Sequence, residues 1–178
     1  MQVTPPSSWI ARHASLIPKP GPIVDLAAGG GRHTRYFKDL GYAVVAVDRA
    51  VAGLADLTGD AQIEVMEADL EGGAPWPPLG ERRFAGIIVT NYLHRPLLPK
   101  IAAALQPGGV LIYETFGLGN EKFGRPSNPD FLLKPGELLD FAEAAGLVVR
   151  AYHCGEVAEP RPAVLQRIVA VKDRHPRT

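Results

Sequence analysis

The stretch Val24-Asp25-Leu26-Ala27-Ala28-Gly29-Gly30-Gly31-Arg32 reads as an apolar strand with an acid near its end, then a glycine turn, then the start of a helix. Glycines at such a turn let the backbone approach a nucleotide-like ligand, and the free N–H groups that open the helix face it. On either side, short runs rich in Val and Ile alternate with segments of helical spacing, the pattern of βα units that build a mostly parallel sheet. Residues 22–27, 42–47, 63–66, 84–90 and 110–114 are predicted as the first five strands, each nearly continuous in apolar residues and so buried on both faces. Residues 32–40, 51–57, 96–105 and 135–145 are predicted as helices, followed by the stop signals Gly41, Gly59, Gly108 and Gly146. Two further strands, 147–153 and 163–171, have a connection too short for a crossover helix, so they are expected to pair antiparallel. The expected fold is α/β, a doubly wound Rossmann-like sheet of seven strands, mostly parallel, with a terminal antiparallel pair.

A chain of 178 residues is close to the usual size of one domain and buries a sizeable core without disulfides or structural metal, so residues 1–178 are taken as a single domain. Ser7 opens a predicted helix over 7–16, in which Trp9, His13 and Leu16 share one face and pack across the upper edge of the sheet. Prolines punctuate 18–22 before the first strand and Ala74-Pro75-Trp76-Pro77-Pro78 before the fourth, and 172–178 reads as a frayed polar tail. The 19 basic residues balance 19 acidic ones, which argues against general nucleic-acid binding. The apolar runs are too short to cross a bilayer, and Met1-Gln2-Val3-Thr4-Pro5 lacks the regions of a signal peptide, so the expectation is a cytoplasmic chain with no membrane partner. The single cysteine, Cys154, excludes an internal disulfide and a cysteine-based zinc site, and reads as a small apolar filler; no metal is expected.

Three acids fall at the carboxyl edge of the predicted sheet. Asp25 precedes the glycine turn, Asp48 ends the second strand where it can accept both hydroxyls of a ribose, and Asp69 follows the third strand where it can accept an adenine amino group beside Leu70. Over roughly 23–145, with the terminal strand pair in addition, the chain resembles the class I S-adenosylmethionine (SAM)-dependent methyltransferases. The segment Leu105-Gln106-Pro107-Gly108-Gly109-Val110-Leu111 looks like that family's tight helix-to-strand turn before the fifth strand. The resemblance implies SAM as cofactor, held by Asp25, Ala27, Gly29, Gly31, Asp48, Arg49, Asp69, Leu70 and Thr90, with Asp25 near the ligand's ammonium. Within the family, the compact length and Leu111-Ile112-Tyr113-Glu114-Thr115-Phe116 look like the small bacterial enzymes grouped with tellurite-resistance methyltransferases. Dinucleotide binding is the nearest rival, but a Gly-x-Gly-x-x-Gly loop places glycine or alanine where this chain has Thr34.

Methyl transfer is an in-line displacement, so the protein mainly positions the acceptor and excludes water. Ligands in open α/β sheets lie beyond the strand carboxyl ends, which points to residues 90–95 and 114–116. His94 and Glu114 are the candidate bases, and Tyr92 and Phe116 the candidate acceptor contacts, each with an ordinary packing or capping role as the alternative. The absence of an Asp/Asn-Pro-Pro-aromatic run after the fourth strand argues against amino methylation of nucleic-acid bases. The long irregular stretch 117–130 reads either as a lid, with Phe123 and Arg125 facing the acceptor, or as a structural Ω-loop. The expected activity is methylation of a small-molecule acceptor. A macromolecular methyltransferase acting on RNA or protein with a partner, and a non-catalytic SAM-binding regulatory domain, stand as alternatives, and the oligomeric state is left open.

Overall fold

Successive side chains along a strand point to opposite faces, and in this chain both faces carry apolar residues. The computed structural model describes residues 4–72 and 79–174. Its strands are β1 (Ile23–Leu26), β2 (Val44–Asp48), β3 (Ile63–Glu67), β4 (Phe84–Thr90), β5 (Leu105–Phe116), β6 (Leu147–Val157) and β7 (Ala163–Lys172). They form one sheet in the order β3-β2-β1-β4-β5-β7-β6, with β1 to β5 parallel and β7 antiparallel to both β5 and β6. Val24, Leu26, Ile87 and Leu111 face α3 (Leu98–Ala104) and α4 (Glu137–Ala144). Ile23, Val44, Ile88 and Ile112 face α1 (Ser8–His13) and α2 (Arg32–Asp39). This doubly wound, seven-stranded arrangement is the one expected from the sequence, and its strand order reverses between β1 and β4.

Several elements differ from their predicted form for local reasons. Residues 51–57 form 3-10 turns rather than an α-helix. Their buried residues, Leu54 and Leu57, are three apart, matching three residues per turn, and Gly53 lies so close to the glycine loop that a Cβ there would sit 3.2 Å from the Cα of Gly30. The expected helix-to-strand turn at 105–109 is instead the irregular start of β5, where register shifts against β4. A Cβ on Gly109 would lie 2.7 Å from the Phe84 carbonyl oxygen, so only glycine fits there. At the amino terminus, the Trp9 and His13 rings pack at a tilt of 59° with centroids 4.4 Å apart, but the chain tightens into a 3-10 turn over Ala14–Leu16. Leu16 is thereby turned out to 47% exposure while Ile17 takes the buried position. Cys154 is exposed on the edge strand β6 rather than filling the core. The proline cluster 74–78 and the end of the tail, 175–178, lie outside the described residues. Lys172, placed in that tail, instead closes β7 and donates to the carbonyls of Ala102, Ala103 and Leu105 at the end of α3.

Gln166 joins β7 to α4. Its fully buried amide accepts from the Leu138 N–H at 2.7 Å and donates to the Lys134 carbonyl at 2.8 Å, so a strand side chain satisfies the open end of a helix. Gln166→Leu leaves both backbone groups without these partners and is expected to cost about 2–4 kcal/mol, read as a lower urea midpoint with an unchanged slope.

Candidate functional site

The carboxyl ends of β1 to β4 enclose a cavity of about 440 Å³ at the point where the strand order reverses. Ala27 follows β1, Asp48 and Arg49 close β2, and Ala68, Asp69, Leu70 and Glu71 follow β3. Asn91 and Tyr92 come from the end of β4, and Phe131 reaches in from the long loop. Asp48 organises the mouth: one carboxylate oxygen accepts from the Gly29 N–H at 2.8 Å and the other from the Ala50 N–H at 2.9 Å. Each oxygen keeps a further lone pair for a ligand hydroxyl. Asp69 accepts from the Glu71 N–H at 2.9 Å, a turn that presents its carboxylate to the cavity.

The glycine loop owes its shape to backbone geometry. Ala27, Gly29 and Gly31 all have positive φ, at 54°, 55° and 73°. A Cβ on Gly31 would lie 2.5 Å from a Leu54 methyl, whereas a Cβ on Gly29 or Gly30 would meet nothing within 4 Å. The loop is therefore packed on one side and open on the other. Gly31→Ala is expected to destabilise the fold by about 2 kcal/mol through left-handed strain and this clash, and Gly30→Ala by less than about 0.5 kcal/mol; urea unfolding of the two variants checks the contrast.

Asp25 and Thr90 lie behind the loop rather than along the cavity. Asp25 is buried and accepts from the Thr34 hydroxyl at 2.7 Å, so Thr34, standing where a dinucleotide loop has its third small residue, holds the first turn of α2 to β1. Burial, only partly offset by Thr34, pushes the Asp25 carboxyl up to about 6. Thr90 meets Nδ1 of His33 at 3.3 Å, while His33 Nε2 accepts from the Ser7 N–H at 3.1 Å, which places the ring proton on Nδ1. His33, which the sequence reading overlooked, thus ties the amino-terminal segment to the end of β4. Burial drives its pKa down to about 3.

A second cavity, of about 590 Å³, lies beside the first. The amino-terminal residues Thr4 to Ser8 form one wall, Glu114 and Phe116 from β5 the floor, and the β6–β7 connection with Leu165 and Arg167 the far side. Asn91 lines both cavities and holds φ at 54°, a conformation rare for residues other than glycine. Glu114, opposite Arg167 in the antiparallel register, pairs with its Nε at 2.6 Å; both side chains are largely buried. The contact is an ion pair without aligned hydrogen-bond geometry, so the facing atoms retain bonding capacity.

The remaining candidates distribute differently. Tyr92, expected at the acceptor, lines the first cavity; burial and the Glu71 and Asp69 charges push its phenol well above the ordinary value, and its hydroxyl has no aligned partner. His94 begins the 3-10 turn Arg95–Leu97 and lines neither cavity. Phe123 and Arg125 are exposed and also line neither, with Phe123 beneath the Lys122 ammonium at 5.1 Å. Asn120 anchors that loop, donating to the Pro126 carbonyl at 3.0 Å and accepting from the Val164 N–H at 3.1 Å. Arg95 fastens its far end through Glu137 and the carbonyls of Asp130 and Leu132. The loop's approach to the first cavity is made by Phe131, just past the predicted segment. Among the described residues no helix is long and apolar enough to cross a membrane, and no group of three or more His, Cys, Asp or Glu side chains is placed to hold a metal ion.

No family model and no curated protein matches this sequence. Solved structures do. TehB from Haemophilus influenzae superposes with a TM-score of 0.70 at 19% identity, over 92% of this chain and 61% of that one, so this chain spans less than two thirds of its length. The 1,6-didemethyltoxoflavin-N1-methyltransferase of Burkholderia thailandensis, with 1,6-didemethyltoxoflavin and S-adenosylhomocysteine bound, gives 0.66 at 24% identity over 93% and 76% of the two chains. A SAM-dependent methyltransferase from Methanosarcina mazei gives 0.70 at 13% identity over 97% and 100%. The chain has the class I methyltransferase fold.

Proposed function

We propose that the protein is a SAM-dependent methyltransferase whose acceptor is a small molecule. The observation that carries this reading is the pair of adjoining cavities, an acidic one at the strand switch and a second, partly apolar one, with Asn91 in the wall of both. The first fits SAM: Asp48 offers free lone pairs for the ribose, Asp69 and Leu70 stand where an adenine would lie, and Asp48, Asp69 and Glu71 outnumber Arg49, which suits a ligand bearing an ammonium and a sulfonium. The Burkholderia protein, which shares the fold, holds S-adenosylhomocysteine together with 1,6-didemethyltoxoflavin, and this supports the assignment.

When bound, SAM supplies a methyl group on sulfur: an acceptor lone pair makes the new bond to carbon, the carbon–sulfur pair stays with the departing S-adenosylhomocysteine, and any acceptor proton leaves to a base or water. The chain's own part is positional. Gly29 and Gly31 shape the loop, Asp25 and Thr90 brace it from behind, and Arg49 and Ala27 close the wall. Glu114 and Phe116 belong to the acceptor chamber, where Glu114, paired with Arg167, is the buried carboxylate; His94 has no position there in this conformation. No described residue of 117–130 lines either cavity, and the wall of the cofactor edge is completed by Phe131, just beyond that loop, rather than by Phe123 and Arg125. A chamber of this size takes a small molecule better than a macromolecule.

Incubating the protein with cell lysate and methyl-labelled SAM, followed by size fractionation, tests the acceptor class. Label in the low-molecular-weight fraction is expected. Label confined to RNA or protein overturns the small-acceptor reading, and no protein-dependent label leaves a SAM-binding domain without turnover.

A further inference from the structure

We infer that the acceptor is an organic anion, an apolar body carrying a carboxylate that Arg32 and Arg161 receive in the second cavity. This rests on the reading of that cavity as the acceptor chamber. The charges lining it are Arg32, Arg161, Arg167, Glu114 and Glu159. Glu114 and Arg167 neutralise each other as a buried pair, which leaves two guanidinium groups against one carboxylate. Among the described residues neither Arg32 nor Arg161 has a side-chain hydrogen bond or ion pair, although their positions in the fold differ: Arg32 opens α2 behind the glycine loop, and Arg161 sits between β6 and β7. Guanidinium groups bind carboxylates through paired N–H donors.

The first cavity has the opposite charge bias. Acids dominate where a cationic cofactor fits, and arginines dominate next to it, so the field across Asn91 draws an anion to the acceptor side. The apolar lining, including Phe116 and Leu165, and a volume of about 590 Å³ require an organic body and leave a bare inorganic oxyanion poorly held.

The test uses protein saturated with S-adenosylhomocysteine and ligand-observed NMR with matched one- and two-ring aromatic carboxylates and carboxamides, with inorganic phosphate as a further arm. Wild type is expected to bind at least one carboxylate roughly fivefold or more tighter than its carboxamide, a modest ratio because Arg161 is exposed. Arg161→Gln, remote from the cofactor cavity, is expected to erase most of that preference while leaving carboxamide and S-adenosylhomocysteine affinity unchanged; Arg32→Gln should act in the same direction. Equal binding of acids and amides, a preference that survives both substitutions, no binding of any probe, or phosphate binding as tightly as the organic acids overturns the inference while leaving the cofactor assignment standing. Failure of wild type to bind S-adenosylhomocysteine overturns both.

Discussion

Asp48→Ala is expected to weaken S-adenosylhomocysteine binding by about 2–3 kcal/mol, roughly a hundredfold, because one substitution removes the ribose acceptor and releases the loop that surrounds the ligand. The carboxylate now holds the Gly29 and Ala50 N–H groups, so part of the loss comes from a glycine loop that is no longer preorganised. Asp69→Ala removes one acceptor from a more open wall and is expected to cost only about 1 kcal/mol. Titration calorimetry on both variants, with urea midpoints to confirm that each is folded, measures the ordering; equal losses would contradict the roles assigned to the two acids.

The second large effect is masked in the wild-type protein. Asp25 rises from 3.8 to about 6 in the folded state, so the fold holds that proton more tightly than the unfolded chain does. Its contribution is complete below about pH 4 and disappears as pH rises through about 6. His33 falls from 6.5 to about 3, so the unfolded chain protonates first and stability is lost as pH drops below 6.5. Between pH 7 and pH 5 the His33 contribution falls by about 2 kcal/mol while that of Asp25 rises by about 1 kcal/mol, leaving a net change of only about 1 kcal/mol. Asp25→Asn, which keeps an acceptor for Thr34, is expected to expose the full loss of about 2 kcal/mol. His33→Gln is expected to reverse the trend, with stability rising by about 1 kcal/mol as pH falls. Urea unfolding of the three proteins at pH 5, 6 and 7 reads these slopes, and parallel slopes would show that neither buried group titrates as described.

The cofactor edge was legible because strand ends are written in local pattern. Apolar runs ending near Asp25 and Asp48, with Asp69 just past the third, placed three acids at one edge before any contact was known. Even there, local pattern did not distinguish Asp48, which closes β2 at the cavity, from Asp25, which lies one residue inside the end of β1 and is taken up by the Thr34 hydroxyl of α2; depth along the strand separates them, since both acids share one face of the sheet. The second cavity, proposed as the acceptor chamber, was only half legible. Glu114 and Phe116 lie at a strand end, but Arg167 reaches Glu114 through the antiparallel register of β5 and β7, more than fifty positions away in sequence. Arg161 enters through the β6–β7 connection, which is shorter than predicted because β6 continues to Val157 rather than ending at His153. Asn91 owes its place to a left-handed backbone, a feature that Asn tolerates but that its identity alone does not announce. His33 looked like one more polar residue in the first turn of a helix, since its partners, Ser7 and Thr90, come from two other parts of the chain.

The most direct measurement is calorimetric titration of the wild-type protein with S-adenosylhomocysteine and, separately, with NAD. One-to-one binding of S-adenosylhomocysteine is expected, with a dissociation constant in the micromolar range or tighter, about 8 kcal/mol or more of binding free energy, and no saturable heat with NAD. Saturable NAD binding without S-adenosylhomocysteine binding, or S-adenosylhomocysteine affinity that Asp48→Ala leaves unchanged, would contradict it.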